Sequence, residues 1–273
     1  MKKKMFFLTM MATLGLMACT NGEDDPLPTG YDNNQELPLF DYDRTKDFAF
    51  WPTPTIDDSE LQGPGYDFAY WRQHKTEAET VEEMMAMCNI PKDMLKNMST
   101  RNLAITCSNY PYNAIFGAYN DAYKGFLGTI SDFNGYAELM KRNGGLQATL
   151  DLYAEMDSRA LEISFTRFQP WTFFVGSAVD HKVLSDEQVA RLARVVSSRF
   201  NDGTKDSNLA FTYLLGGFIA YHYDTTLPEE QLYLLKAYLQ FYCMHPGVSK
   251  PDDRISTIIE SSLERFAFIL AQS

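Results

Sequence analysis

A chain of 273 residues, 45% hydrophobic and 14% aromatic, is long enough for one sizeable core or two small ones. Its formal net charge is −12, and setting aside an N-terminal leader with Lys2, Lys3 and Lys4 takes it to about −15. Such a surface repels phosphate backbones and anionic lipid headgroups. That argues against nucleic acid as a partner and against membrane binding through a basic patch.

Residues 1–18 read as an export signal: a positive start, then an apolar run from Met5 to Ala18 that is too short to span a bilayer. Leu16-Met17-Ala18-Cys19 resembles the lipobox of bacterial lipoproteins. That resemblance implies a lipidated Cys19 as the mature N-terminus, with several acyl chains giving firm anchoring to a membrane. Thr20-Asn21-Gly22-Glu23-Asp24-Asp25 is similar to the acidic export tag of surface lipoproteins in Bacteroidota-type bacteria. The expected location is therefore the outer membrane, cell-surface exposed, with the periplasmic face as the alternative. Three cysteines remain, Cys88, Cys107 and Cys243, each in an apolar helical context. An odd number with no CxxC spacing reads as buried thiols.

Residues 19–65 read as an acidic tether that becomes an aromatic strap. Between 19 and 60 lie eleven acidic side chains against Arg44 and Lys46 alone, and five prolines up to Pro54 prevent any long helix. The later aromatics (Phe40, Tyr42, Phe48, Phe50, Trp51, Tyr66, Phe68, Tyr70, Trp71) exceed what a solvated stalk needs. They predict rings strapped onto the domain, or else a stacking platform for a sugar or peptide.

The single all-helical domain is expected over 66–273. Thr76-x-x-Glu79 and Thr80-x-x-Glu83 fit the capping box, opening a helix with Val81, Met84, Met85 and Cys88 on one face. Pro91 suits a helix start, Ser99 and Thr100 offer hydroxyl oxygens to the first amides of the next helix, and Asn109-Tyr110-Pro111 ends it. Ile115, Tyr119, Ala122, Phe126, Ile130 and Phe133 then recur at helical spacing, and Asn134-Gly135 starts another helix.

Met87-Cys88-Asn89-Ile90-Pro91, Met98-Ser99-Thr100 with Leu103, Asn109-Tyr110-Pro111, and Phe133-Asn134-Gly135 with Glu138-Leu139 and Arg142 together resemble a signature of helical surface lipoproteins of Bacteroidota-type bacteria. The resemblance covers roughly residues 66–150. It implies a helical lipoprotein and brings no activity or catalytic residue with it.

Further on, a helix is expected from about Gln147 to Met156. The aromatic-rich stretch from Glu162 to Phe174 is interrupted by Pro170. Ser185-x-x-Gln188 opens a helix with Val189, Leu192, Ala193, Val196 and Phe200 in a stripe, closed by Asn201-Asp202-Gly203. Asn208–Tyr223 is apolar nearly all round and reads as the most buried helix, with Gly216-Gly217 allowing a neighbour close. Pro228 and Pro251 begin the last two helices, with His245-Pro246-Gly247 between them. The fold class is all-α: an irregular array of antiparallel helix hairpins, HEAT-like or a compact α-α bundle.

Motifs for zinc peptidases, phosphate-binding loops, the serine-hydrolase elbow and EF-hands do not occur, so no cofactor, metal site or catalytic residue is assigned. His222 lies two residues from Asp224 and between two tyrosines, the one acid–base pairing the spacing offers. Tyr110, Tyr112, Tyr119 and Tyr123 (with Phe116) form an aromatic cluster, which is either core or, with one face exposed, a ligand-binding surface. The leading functional expectation is a lipid-anchored cell-surface helical module with a non-enzymatic binding or assembly role. A hydrolase or other enzyme with a pocket around His222, and a glycan-binding accessory lipoprotein, are the alternatives.

Overall fold

The computed structural model describes residues 51–157, 164–201, 208–244 and 250–269, and among these the chain is predominantly helical, with twelve α-helices and no strand. The leader, Cys19, the tether up to residue 50 and the expected helix ends at 202–203 and 245–247 lie outside the described residues. In chain order the helices are α1 Ala69–His74, α2 Val81–Ala86, α3 Lys92–Asn97, α4 Thr100–Ser108, α5 Ala122–Ser131, α6 Asn134–Lys141, α7 Gly145–Glu155, α8 Gln169–Asp180, α9 Asp186–Asn201, α10 Leu209–Tyr223, α11 Glu229–Met244 and α12 Asp253–Ile269. The all-α array expected from periodicity is what the chain adopts. All described residues belong to one unit, Arg44–Ser273.

Local chemistry sets many of the boundaries. Thr80 and Glu83 close the predicted capping box at α2, and Ser185 and Gln188 do so before α9. Ser99 caps α4 by accepting from the Asn102 amide at 3.2 Å. Thr100, expected to share that duty, instead donates to the Asp58 carboxylate. Thr76 opens no helix; α1 lies before it, inside the expected domain. The apolar run from Ile115 to Phe133 is cut into a 3₁₀ segment, Asn113–Ala118, and α5, because Asp121 caps α5 by accepting from the Lys124 amide at 3.0 Å. Pro170 starts rather than interrupts a helix: it sits in the first turn of α8, where a missing N–H costs nothing. A single π-helical turn, Ser164–Phe168, leads into it.

Helix α10 is the centre of the C-terminal half and packs against α8, α9, α11 and α12. Its residues from Ala210 to Ala220 are all buried, as the unbroken apolar sequence predicts. Gly216 and Gly217 permit that crowding. A Cβ at Gly216 would lie 2.7 Å from Ile259 Cγ2, and one at Gly217 3.0 Å from the Tyr238 ring. In the N-terminal half α4 packs on α6 and α7, and aromatic rings fill the space between. Tyr136 is fully buried and donates from its hydroxyl to the Asn113 side chain and the Cys107 carbonyl. Trp171 joins the halves, donating from Nε1 to the Thr149 carbonyl at 3.1 Å.

Residues 51–65 are strapped onto this body by backbone bonds as well as rings. Thr55 and Ile56 amides donate to the Lys141 carbonyl, Asn143 donates to Ile56, and Gly63 pairs with Asn97 and Ser99. Trp51 and Phe68 are the buried rings of the strap, and both adopt left-handed backbone, φ 56° and 59°. Cys88 and Cys107 are buried free thiols, and Cys243 is buried too. Burial pushes the Cys88 thiol up to about 12 and the Cys107 thiol well above its ordinary value, so neither carries thiolate at neutral pH.

Candidate functional site

The four tyrosines do not share an exposed face. Tyr110, Tyr112 and Tyr123 are buried, at 2%, 5% and 1% exposure, whereas Tyr119 is half exposed at 50%. Tyr110 stacks flat on Phe133, with centroids 4.4 Å apart. Tyr112 accepts from Trp71 Nε1 at 3.1 Å. Tyr123 donates to Asp180 Oδ2 at 3.3 Å. Burial raises the pKa of all three phenols and so keeps them protonated, as it does for core tyrosines. Tyr119 sits between the 3₁₀ segment and α5, where Asp121 breaks the helical periodicity that would have aligned it with the others. Three of the four rings are core, and Tyr119 alone stands out.

His222 pairs with a carboxylate, but not the one two residues away. Its Nε2 lies 2.8 Å from Asp180 Oδ1 at the end of α8, and both side chains are nearly buried, 10% and 5% exposed. With Tyr123 on the other carboxylate oxygen, a Tyr–Asp–His cluster fastens the ends of α5, α8 and α10 together. Asp224 faces elsewhere, because α10 ends at Tyr223 and the chain turns. Its carboxylate accepts from Thr226 (N at 3.0 Å, Oγ1 at 2.6 Å), from Ser262 Oγ at 2.7 Å and from Arg265 Nε at 3.1 Å. Burial alone would raise its pKa, but these donors outweigh burial and hold the carboxyl below its ordinary value.

That sign fixes a pH dependence. A depressed carboxyl contributes stability above its unfolded pKa and loses it as the pH falls through the folded value. Asp224→Asn is expected to cost about 1–3 kcal/mol at neutral pH. The gap to wild type should begin to narrow as the pH falls below about 4, where the unfolded carboxyl protonates, and close once the pH has fallen through the depressed folded value. Urea midpoints at several pH values check this, and a gap independent of pH would refute it.

The remaining histidines are local. His74 Nδ1 is 3.1 Å from Glu77 on the surface, and His181 Nδ1 donates to the Ser177 carbonyl at 2.7 Å; His245 is outside the described residues. No group of histidine, cysteine and carboxylate side chains among the described residues could hold a metal ion. No described helix is long and apolar enough to cross a membrane.

The feature that presents ligand-facing chemistry is an open groove of about 610 Å³ between residues 65–72 and the end of α4. Its construction begins at Phe68, whose ring is buried against Tyr110 (6.3 Å) and Phe133 (5.8 Å). Fixing that ring forces the left-handed kink, a conformation costing about 1–2 kcal/mol for a residue with a Cβ. The kink turns the chain so that Tyr66 and Trp71 both face the groove. The Tyr66 amide donates to Thr106 Oγ1 at 3.0 Å, tying the loop to α4. Asp67 Oδ1 accepts from the Ala69 amide at 3.0 Å at the start of α1. Asp67 Oδ2 pairs with Arg72 at 3.0 Å. Ile105, Asn109 and Pro111 form the opposite wall. A second, polar depression of about 530 Å³ lies beside Gln147, Gln188 and Arg191.

The sequence showed half of this groove. The aromatics of 66–71 stood out as a strap or platform, but nothing local links them to Asn109 and Pro111, some forty residues on. Compared with protein-family models, with curated proteins and with solved structures, the chain matches none. Fold and groove together define an all-α module with a preformed aromatic-lined surface cleft.

Proposed function

We propose that this chain is a surface lipoprotein: a helical module acylated at Cys19, held at the outer membrane and facing outwards, whose role is to bind a ligand rather than to transform one. The leader and Cys19 supply the anchor, and the acidic run after Cys19 supplies the outward address. One structural observation supports the binding role. The groove is built on the segment that joins the tether to the helical body, and its walls are fixed by Phe68, Thr106 and Asp67. His222, the histidine considered for chemistry, meets Asp180 rather than Asp224, and the pair is enclosed at the ends of α10 and α8, which fits a structural role.

The experiment is mass spectrometry of the mature protein from membranes, combined with protease treatment of intact cells. Acylated Cys19 and loss of the protein from intact cells are expected, and Cys19→Ser should move it to the soluble fraction. An unacylated Cys19 would overturn the anchor. Hydrolytic turnover that disappears in His222→Ala would overturn the binding role.

A further inference from the structure

We infer that the groove between Tyr66–Arg72 and Asn109–Pro111 binds a neutral oligosaccharide. The inference rests on the binding role just proposed and names its ligand class.

Charge narrows the class first. Asp67 and Arg72 are the charged side chains that line the groove, and they pair with each other at 3.0 Å. Neither an anionic nor a cationic ligand finds an uncompensated partner there. The acidic character of the whole chain further disfavours polyanions. A neutral ligand is what remains.

The wall chemistry narrows it further. Tyr66 and Trp71 are half-buried aromatic rings on a fixed loop, each with an apolar face and a polar edge. Lys75 Nζ lies over the Trp71 ring, 4.5 Å from its centroid, and Tyr112 meets the same indole at 5.9 Å and 78°. A pyranose presents a C–H face to such a ring and hydroxyls around its rim. Tyr66, Asn109 and the exposed Asp67–Arg72 fork line this groove, and their polar groups can donate to and accept from paired hydroxyls.

A proline-rich peptide, the other neutral ligand of aromatic grooves, would need donors for its carbonyls. The donor such grooves supply from tryptophan is already committed, since Trp71 Nε1 donates to Tyr112 Oη at 3.1 Å. The loop is also ordered before any ligand arrives, by the Phe68 anchor and the Tyr66–Thr106 bond, so binding pays little for fixing it.

Calorimetric titration of the detergent-solubilised full chain tests this. The probes are neutral hexasaccharides of gluco, galacto, manno and xylo configuration in α and β linkage, with a decaproline peptide and a hexagalacturonate beside them. At least one neutral hexasaccharide is expected to bind with a Kd of about 1 mM or tighter. Tyr66→Ala and Trp71→Ala should each weaken it at least about tenfold, a loss of about 1.4 kcal/mol. Phe268→Ala, which removes an exposed ring on α12, should leave it unchanged. Asn109→Ala, at an exposed side chain, keeps the test valid if Trp71→Ala unfolds, and should also weaken binding. Failure of every neutral hexasaccharide, or binding indifferent to Tyr66→Ala and Asn109→Ala, overturns the inference. Decaproline bound in the groove with no saccharide also overturns it, while leaving a surface binding module in place. The anchor reading fails or stands separately, on the mass of Cys19.

Discussion

Arg142→Met is expected to destabilise the protein by about 3–5 kcal/mol, the scale for breaking a buried charged network from one side. Arg142 is 1% exposed. One guanidinium nitrogen donates to the Met98 carbonyl at 2.6 Å and the other to Leu95 at 2.7 Å, with Glu138 at 3.3 Å and Thr100 Oγ1 at 3.4 Å completing the shell. Leu95 lies in the last turn of α3 and Met98 just beyond it, where a helix leaves its carbonyls without amide partners. Arg142 caps that helix from forty-odd residues away. Methionine keeps much of the volume but leaves those carbonyls buried and unpaired, which is the expensive part. Two strap contacts go with it, because the Lys141 carbonyl and the Asn143 amide on either side hold Thr55 and Ile56. A urea titration should show a lower midpoint with an unchanged slope. Glu138→Gln, at a partly exposed acid, should cost less than about 1 kcal/mol. Equal losses in the two variants would show that the acid, not the carbonyls, is what Arg142 serves.

The second large effect is at the other end of the strap. Trp51→Ala is expected to cost about 3–4 kcal/mol, in the range for emptying a buried indole site. The ring stacks on Phe174 with centroids 5.0 Å apart, and Nε1 donates to Ser177 Oγ at 2.9 Å. Both partners lie on α8, so this one side chain fastens the strap to the helix that carries Trp171 and Asp180. Trp51→Phe keeps most of the stacking and loses the hydrogen bond, and should cost about 1–2 kcal/mol. Hydrogen exchange distinguishes a local from a global loss. The Thr55, Ile56 and Gly63 amides, which bond to Lys141 and Asn97, should exchange faster in Trp51→Ala than in wild type. Unchanged protection there would mean that the strap is held by its backbone bonds alone.

How much of the site was legible follows from how far apart its parts are. Thr80 with Glu83 and Ser185 with Gln188 could be read because a cap closes within one turn of chain. The buried course of α10 could be read because fifteen successive residues offer no polar face. His222 could not be matched to its partner. Asp224 is nearer in sequence, but residues two apart do not face each other on a helix, and the carboxylate that meets His222 ends a different helix, at Asp180. The tyrosine cluster misled for a related reason: its spacing is helical, yet Asp121 stops the helix between Tyr119 and Tyr123, leaving one ring out and the other in.

Taken alone, the sequence determined the helical class, most helix starts and which helix is enclosed, since these follow from hydrogen-bonding and apolar spacing within a few residues. Packing decided which carboxylate His222 meets, that Arg142 caps α3, and that Tyr66 and Trp71 face Asn109 across a groove. Each of those depends on two stretches some forty residues apart being brought to hydrogen-bonding or van der Waals distance, and no local pattern encodes that distance.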